Sequence, residues 1–98
     1  MEELKGLNVI EFSGESCANC FSLMPLLHRL LKDYPDVALK HVEVNETTMD
    51  IVKKFEVERV PTIIITKDGT EIARCRGFQP EEILAIWLDS KINDARKM

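Results

Sequence analysis

Hydrophobic and polar positions change their spacing along this chain, and each change marks an element. The run "LNVIEFS" (residues 7–13) is mostly apolar and β-branched and ends at Gly14, the pattern of a strand covered on both faces. Phe21, Met24, Leu27, Leu30, Leu31 and Tyr34 then recur at three- and four-residue steps, which predicts a helix that Pro35 ends. Pro25 falls inside it, where the lost backbone donor predicts a kink. "VALKHVEV" (37–44) reads as a second strand. Thr47 or Thr48 is placed to cap a short helix with Met49, Val52 and Phe55 as its apolar positions. In "VPTIIITKDGTEIARCRG" (60–77) two β-rich runs flank Asp68-Gly69, a dipeptide suited to a type I′ hairpin turn. Pro80 opens a last helix, with Glu81 and Glu82 where negative charge suits the helix dipole. Ile83, Leu84, Trp87 and Leu88 form its apolar face, Trp87 reading as core, and the charged run "DSKINDARKM" (89–98) is expected to be a fraying, solvated end.

The order is therefore βαβαββα. Two strands joined by a helix form a parallel pair with a right-handed crossover, and the hairpin adds antiparallel strands. The expected fold is α/β: a four-stranded mixed sheet with helices on both faces, one domain over residues 1–98. Composition agrees, since 98 residues with 45% apolar and 31% charged side chains suit one ordinary globular core. Three cysteines are too few, and odd in number, for a secreted disulfide framework. The start, "MEELKGLNVIEF", is acidic and lacks an apolar stretch, so no signal peptide is expected. No apolar run approaches the roughly 18 residues of a membrane span, and a net charge of −4 disfavours nucleic acid as a partner. The expected compartment is the reducing cytoplasm, where a close cysteine pair is more often catalytic or metal-binding than structural.

That pair is Cys17 and Cys20, in "GESCANCF" (14–21). Cys17 follows the first strand and opens the first helix, where unpaired N–H groups stabilise an anion. A thiol there has a lowered pKa and attacks disulfides near neutral pH. Cys20, one turn on, is within bridging reach and suits a resolving role. Two other readings stay open on the residues alone. A zinc site needs four ligands, and only His28, His41 and Cys75 are further soft donors, without a second spaced pair. The cysteines also fit as two inert buried side chains.

Four features together give a resemblance to the thioredoxin family, collinear over nearly the whole chain. They are "VIEF" leading into Cys17-Ala18-Asn19-Cys20, Pro25 five residues past the second cysteine, "RVPT" with Pro61 opening the third strand, and "KDG" followed by Gly77 and the last helix. The resemblance implies a cis bond at Val60-Pro61, with Pro61 against the cysteines and the Val60 backbone free to pair with a substrate strand. It places Val60, Pro61, Gly77 and Phe78 at the substrate surface, Phe78 being equally suited to the core under the last helix. It makes Glu11 the buried carboxyl that accepts the Cys20 proton, where the family usually has aspartate; the opposing possibility is a glutamate at the strand end facing solvent. His41 stands at or near a family lysine, either pairing with Glu11 or simply solvated.

The chain also departs from the family. Only 16 residues precede Cys17, so an extra strand and most of a first helix are expected to be missing, with residues 1–6 a residual turn. "VALKHVEV" is then an expected sheet edge, where Lys40, His41 and Glu43 oppose aggregation. Ser16 replaces a tryptophan, Ala18-Asn19 replace Gly-Pro, and Phe21 stands where a basic residue is common. These changes remove docking area and point to a more oxidising pair. Cys75, between Arg74 and Arg76, is either a cation-activated thiolate or a passive strand cysteine. The resemblance implies a thiol–disulfide oxidoreductase that exchanges a Cys17–Cys20 disulfide with protein disulfides. It is expected to need no bound cofactor or metal, to be recycled by a flavin-dependent reductase of thioredoxin-reductase type, and to work as a monomer. The alternative is a redox sensor or partner-specific binding module with little general reductase activity.

Overall fold

Strand β1 (Leu7–Ser13) runs through the interior of the sheet, because from Asn8 onward every side chain it carries is buried. The computed structural model describes residues 4–98. After β1 come α1 (Ala18–Leu31), β2 (Val37–Glu43), a short 3-10 turn (Glu46–Thr48) running into α2 (Met49–Lys54), β3 (Thr62–Lys67), β4 (Thr70–Arg76) and α3 (Glu81–Arg96). The sheet order is β2-β1-β3-β4. β1 and β2 are parallel, while β1–β3 and β3–β4 are antiparallel. This is the βαβαββα arrangement, with β2 at one edge.

Alternation along β1 and β3 divides the interior in two. Val9, Ile63 and Ile65 face α1 and α3 and pack with Leu23, Leu27, Leu84, Leu88 and Ile92. Ile10, Phe12 and Ile64 face the other way and pack with Leu4, Val42, Val52 and Phe55. Helices therefore cover both faces. The β3–β4 turn has Asp68 at φ 49 and Gly69 at φ 84, the left-handed pair that a type I′ turn requires. Asp68 also ties residue 6 to the turn: the Gly6 N–H donates to its Oδ1 at 2.8 Å, and its own N–H donates to the Gly6 carbonyl at 2.9 Å. Of the residual turn expected over residues 1–6, residues 1–3 lie outside the described residues.

Several expectations need correction. Phe21 belongs to no apolar stripe: it is 77% exposed, and the buried side of α1 is Cys20, Leu23, Leu26, Leu27 and Leu31. Pro25 lies inside α1 as expected, but the helix ends at Leu31, short of Pro35. Ile83 is likewise exposed, whereas Leu84, Leu88, Ile92 and Ala95 form the buried face of α3 and Trp87 packs half-buried against it. Thr48 occupies the N-cap position of α2 but makes no side-chain cap bond to it, and the side-chain cap lies one turn earlier, on the 3-10 turn. There Asn45 accepts from the Thr47 N–H at 2.8 Å, while Thr48 Oγ1 accepts from the Asn45 N–H at 3.0 Å. The charged run at 89–98 is an ordered helix almost to its end. Ile92 and Ala95 are fully buried, Lys67 Nζ donates to the Ala95 carbonyl at 3.2 Å, and Arg96 grips Asp36 with two donors. The charges of that run occupy the outer side of a helix whose inner side is core.

Burial, more than the ion pair, should anchor this last turn. Ile92→Ala is expected to cost about 2–5 kcal/mol, because it leaves a cavity in a packed site. Arg96→Ala should cost far less, because water screens its exposed partner. Urea unfolding of the two variants compares these costs; equal losses would show that the ion pair is the anchor.

Candidate active site

β1 delivers the chain to Gly14 at the end of the sheet, and α1 begins four residues later. Between them Ser16 takes a positive φ of 60°. Cys17, in extended conformation, is the N-cap of α1, and its Sγ accepts from the Cys20 backbone N–H at 3.2 Å. The sulfur thus fills the capping place usually taken by a serine or aspartate oxygen. Cys17 and Cys20 are joined by a disulfide with a Cα–Cα distance of 5.3 Å. Cys17 is half-buried and Cys20 only 4% exposed, giving an outer and an inner sulfur.

The loop before β3 closes against this turn. The Val60-Pro61 bond is cis. Val60 lies so close to Gly14 that a Cβ on Gly14 would stand 2.9 Å from Val60 Cγ2. On its other side the Pro61 carbonyl accepts from the Gly77 N–H at 2.8 Å, with Gly77 at φ 83. The structure therefore brings together Gly14, Val60, Pro61 and Gly77. Phe78 follows at 40% exposure and is not a core residue under α3.

Glu11 is completely buried, which excludes a solvent-facing glutamate. It sits opposite His41 in the parallel β1–β2 register and opposite Ile63 in the antiparallel one. Both of its oxygens are engaged: the Ser13 hydroxyl donates to Oε2, and His41 Nδ1 lies 2.7 Å from Oε1. The His41–Glu11 pairing is therefore formed. Ser13 escaped the sequence reading, although a small hydroxyl two positions beyond a buried glutamate, on the same side of a strand, is a usable signal. Ser13, Gly14, Cys17, Cys20, Phe21, Met24, Pro25, His41 and Glu43 line a groove of about 500 Å³. It has an apolar wall from α1 and a polar wall from β1 and β2.

Cys75 lies apart from this groove on β4, opposite Ile63 of β3. Burial pushes its thiol up from the usual range. Arg74 does not activate it, because that guanidinium is engaged by Glu71 at 2.8 and 2.6 Å and by the Phe55 carbonyl at 2.5 Å. The activated-thiolate alternative is thus corrected. Among the described residues no three His, Cys, Asp or Glu side chains converge as metal ligands, and no helix is long and apolar enough to cross a membrane.

One sulfur held at a helix start, and a second within bonding reach beneath it, make this a thiol–disulfide exchange protein. Comparison with known proteins supplies the family. Residues 1–90 match the Thioredoxin family. The thioredoxin of Staphylococcus haemolyticus is 36% identical over 90 residues, 89% of this chain and 84% of that protein. The thioredoxin of Chlamydia pneumoniae is 34% identical over 79 residues, 81% and 76% of the two chains. Oxidised mitochondrial thioredoxin 3 from Saccharomyces cerevisiae superposes with a TM-score of 0.76 at 32% identity, covering 94% of this chain and 81% of that one. The chain belongs to the thioredoxin family, and it is a thiol–disulfide oxidoreductase with the Cys17–Cys20 pair as its redox group.

The two sulfur environments predict different reactivities. In the oxidised protein Cys75 is the free thiol. Iodoacetamide should alkylate it at neutral pH more slowly than it alkylates a thiol in an unstructured peptide, the gap narrowing as pH rises. Equal rates at neutral pH would mark Cys75 as an accessible thiolate.

Proposed function

We propose that the protein reduces disulfides in other proteins, with Cys17 attacking, Cys20 resolving and Glu11 accepting the proton of the resolving step. The observation that supports this division is the Cys20 N–H on the Cys17 sulfur, with Cys17 accessible and Cys20 buried. A helix start favours the thiolate of the sulfur it holds. In the first step the Cys17 thiolate attacks a substrate disulfide, forms a mixed disulfide and releases one substrate thiolate. In the second, Cys20 gives up its proton and attacks the Cys17 sulfur. The mixed disulfide breaks, its electron pair leaves on the second substrate thiolate, and the Cys17–Cys20 bond forms.

Substrate docks along the Val60 backbone as an added strand, with Pro61, Gly77 and Phe78 completing the surface. The chain works as a single-domain monomer in the cytoplasm without a bound cofactor, and a flavoprotein of thioredoxin-reductase type returns the pair to its dithiol form. A narrower reading, a redox sensor dedicated to one partner, draws on Phe21: this 77% exposed ring on the groove favours an apolar partner surface over a varied one.

Cys20→Ser keeps the attacking thiol and removes the resolving one, so it should accumulate stable mixed disulfides through Cys17. The double variant Cys17→Ser, Cys20→Ser should capture nothing. Many captured proteins support a general reductase, and a single one supports the dedicated sensor. Equal capture by both variants would remove Cys17 as the nucleophile.

A further inference from the structure

Glu11 is fully buried, yet as proton acceptor it must exchange protons in every cycle. The way out is given by its contacts. The half-exposed His41 ring, with its side chain 46% accessible, touches the carboxylate through Nδ1. It can do so because Glu11 and His41 are register partners and β2 is the edge of the sheet. The interior strand therefore carries the acid and the edge strand carries its link to water. Both groups bonded to Glu11, Ser13 and His41, line the groove onto which Cys17 and Cys20 open.

We propose that Glu11 and His41 form one proton path, in which the proton lost by Cys20 passes to Glu11, from Oε1 to His41 Nδ1, and is matched by release of the Nε2 proton to water. The path rests on Glu11 being the proton acceptor of the resolving step, and it assigns His41 a role exerted through Glu11. The protons balance. Cys20 loses one, the imidazole holds it transiently as imidazolium, and water receives one from the other ring nitrogen. When the disulfide is reduced again, Nδ1 returns its proton through Glu11 to the Cys20 thiolate and Nε2 takes one from water, which resets the ring. An imidazole suits this place because its two nitrogens let a proton enter on one side and leave on the other. The ionisable groups facing His41 are Glu11 from β1, Glu43 from β2, and Cys17 and Cys20 from the start of α1; among the described residues no other charged side chain lines the groove.

A dithiobis-nitrobenzoate reagent tests the path, because it releases a coloured thiolate once when Cys17 attacks and again when Cys20 resolves. The background is Cys75→Ser, which leaves only the pair to react. The readout is the ratio of the second rate constant to the first, with and without added imidazole, for the parent, Glu11→Gln and His41→Gln. Both variants should lower the ratio about a hundredfold or more, the scale of a positioned acid–base group. Imidazole, a base that diffuses to the surface, should restore His41→Gln and leave Glu11→Gln slow. A normal ratio in His41→Gln beside a lowered one in Glu11→Gln overturns the path and leaves Glu11 acting alone. Normal ratios in both overturn the path together with the proton-acceptor reading. A slow His41→Gln that imidazole does not restore reduces His41 to a structural support and also overturns the path.

Discussion

The Cys20 amide meets the Cys17 sulfur, at 3.2 Å, only because β1 stops at Ser13 and α1 starts at Ala18. A helix start leaves N–H groups without partners inside the helix, so whatever lies there is drawn toward negative charge. The location of this helix start is set by the core, not by the loop. β1 is held between β2 and β3, and α1 is seated on Val9, Ile63 and Ile65 through Leu23 and Leu27. The connecting turn has little freedom of its own, since Val60 leaves no room for a side chain at Gly14. The outer sulfur is thus positioned by the pairing of β1 in the sheet, the hydrophobic seat of α1 and one close approach, while remaining accessible.

Local chemistry was legible in the sequence wherever one residue carries its own geometric demand. Asp68-Gly69 announced the tight turn, Pro80 the start of α3, and the gap between a β-branched run and a helical period placed Cys17 at a helix start. Apolar periodicity was less secure, because it counts hydrophobic side chains without knowing which of them the core uses. Phe21 and Ile83 keep step with their helices and still face outward. The opposite error occurred at 89–98, where charge hid the buried Ile92 and Ala95. The Glu11–His41 contact entered only through the family resemblance, as one of two alternatives, for a different reason. It joins residues 30 positions apart and depends on the parallel register of β1 and β2, which no local pattern specifies. A shift of that register by one residue would have turned His41 to the opposite face.

The sheet treats its two edges differently. β2 alternates partly buried and exposed positions, and only Val42 is fully inside. Such a strand can carry His41, Glu43 and Lys40 without leaving buried charges unpaired, and it still brings one ring nitrogen to an interior carboxylate. β4 at the other edge is partly covered along most of its length and braced by Arg74 against the end of α2. Its side chains are screened from solvent more evenly.

That screening decides the fate of the third sulfur. Three cysteines in one small chain permit three different bridges, of which only one serves electron exchange. Burial pushes the Cys75 thiol up from its usual range, so it offers less thiolate to a mixed disulfide on Cys17 than an exposed cysteine would. The position of that strand thus slows the one thiol outside the redox pair.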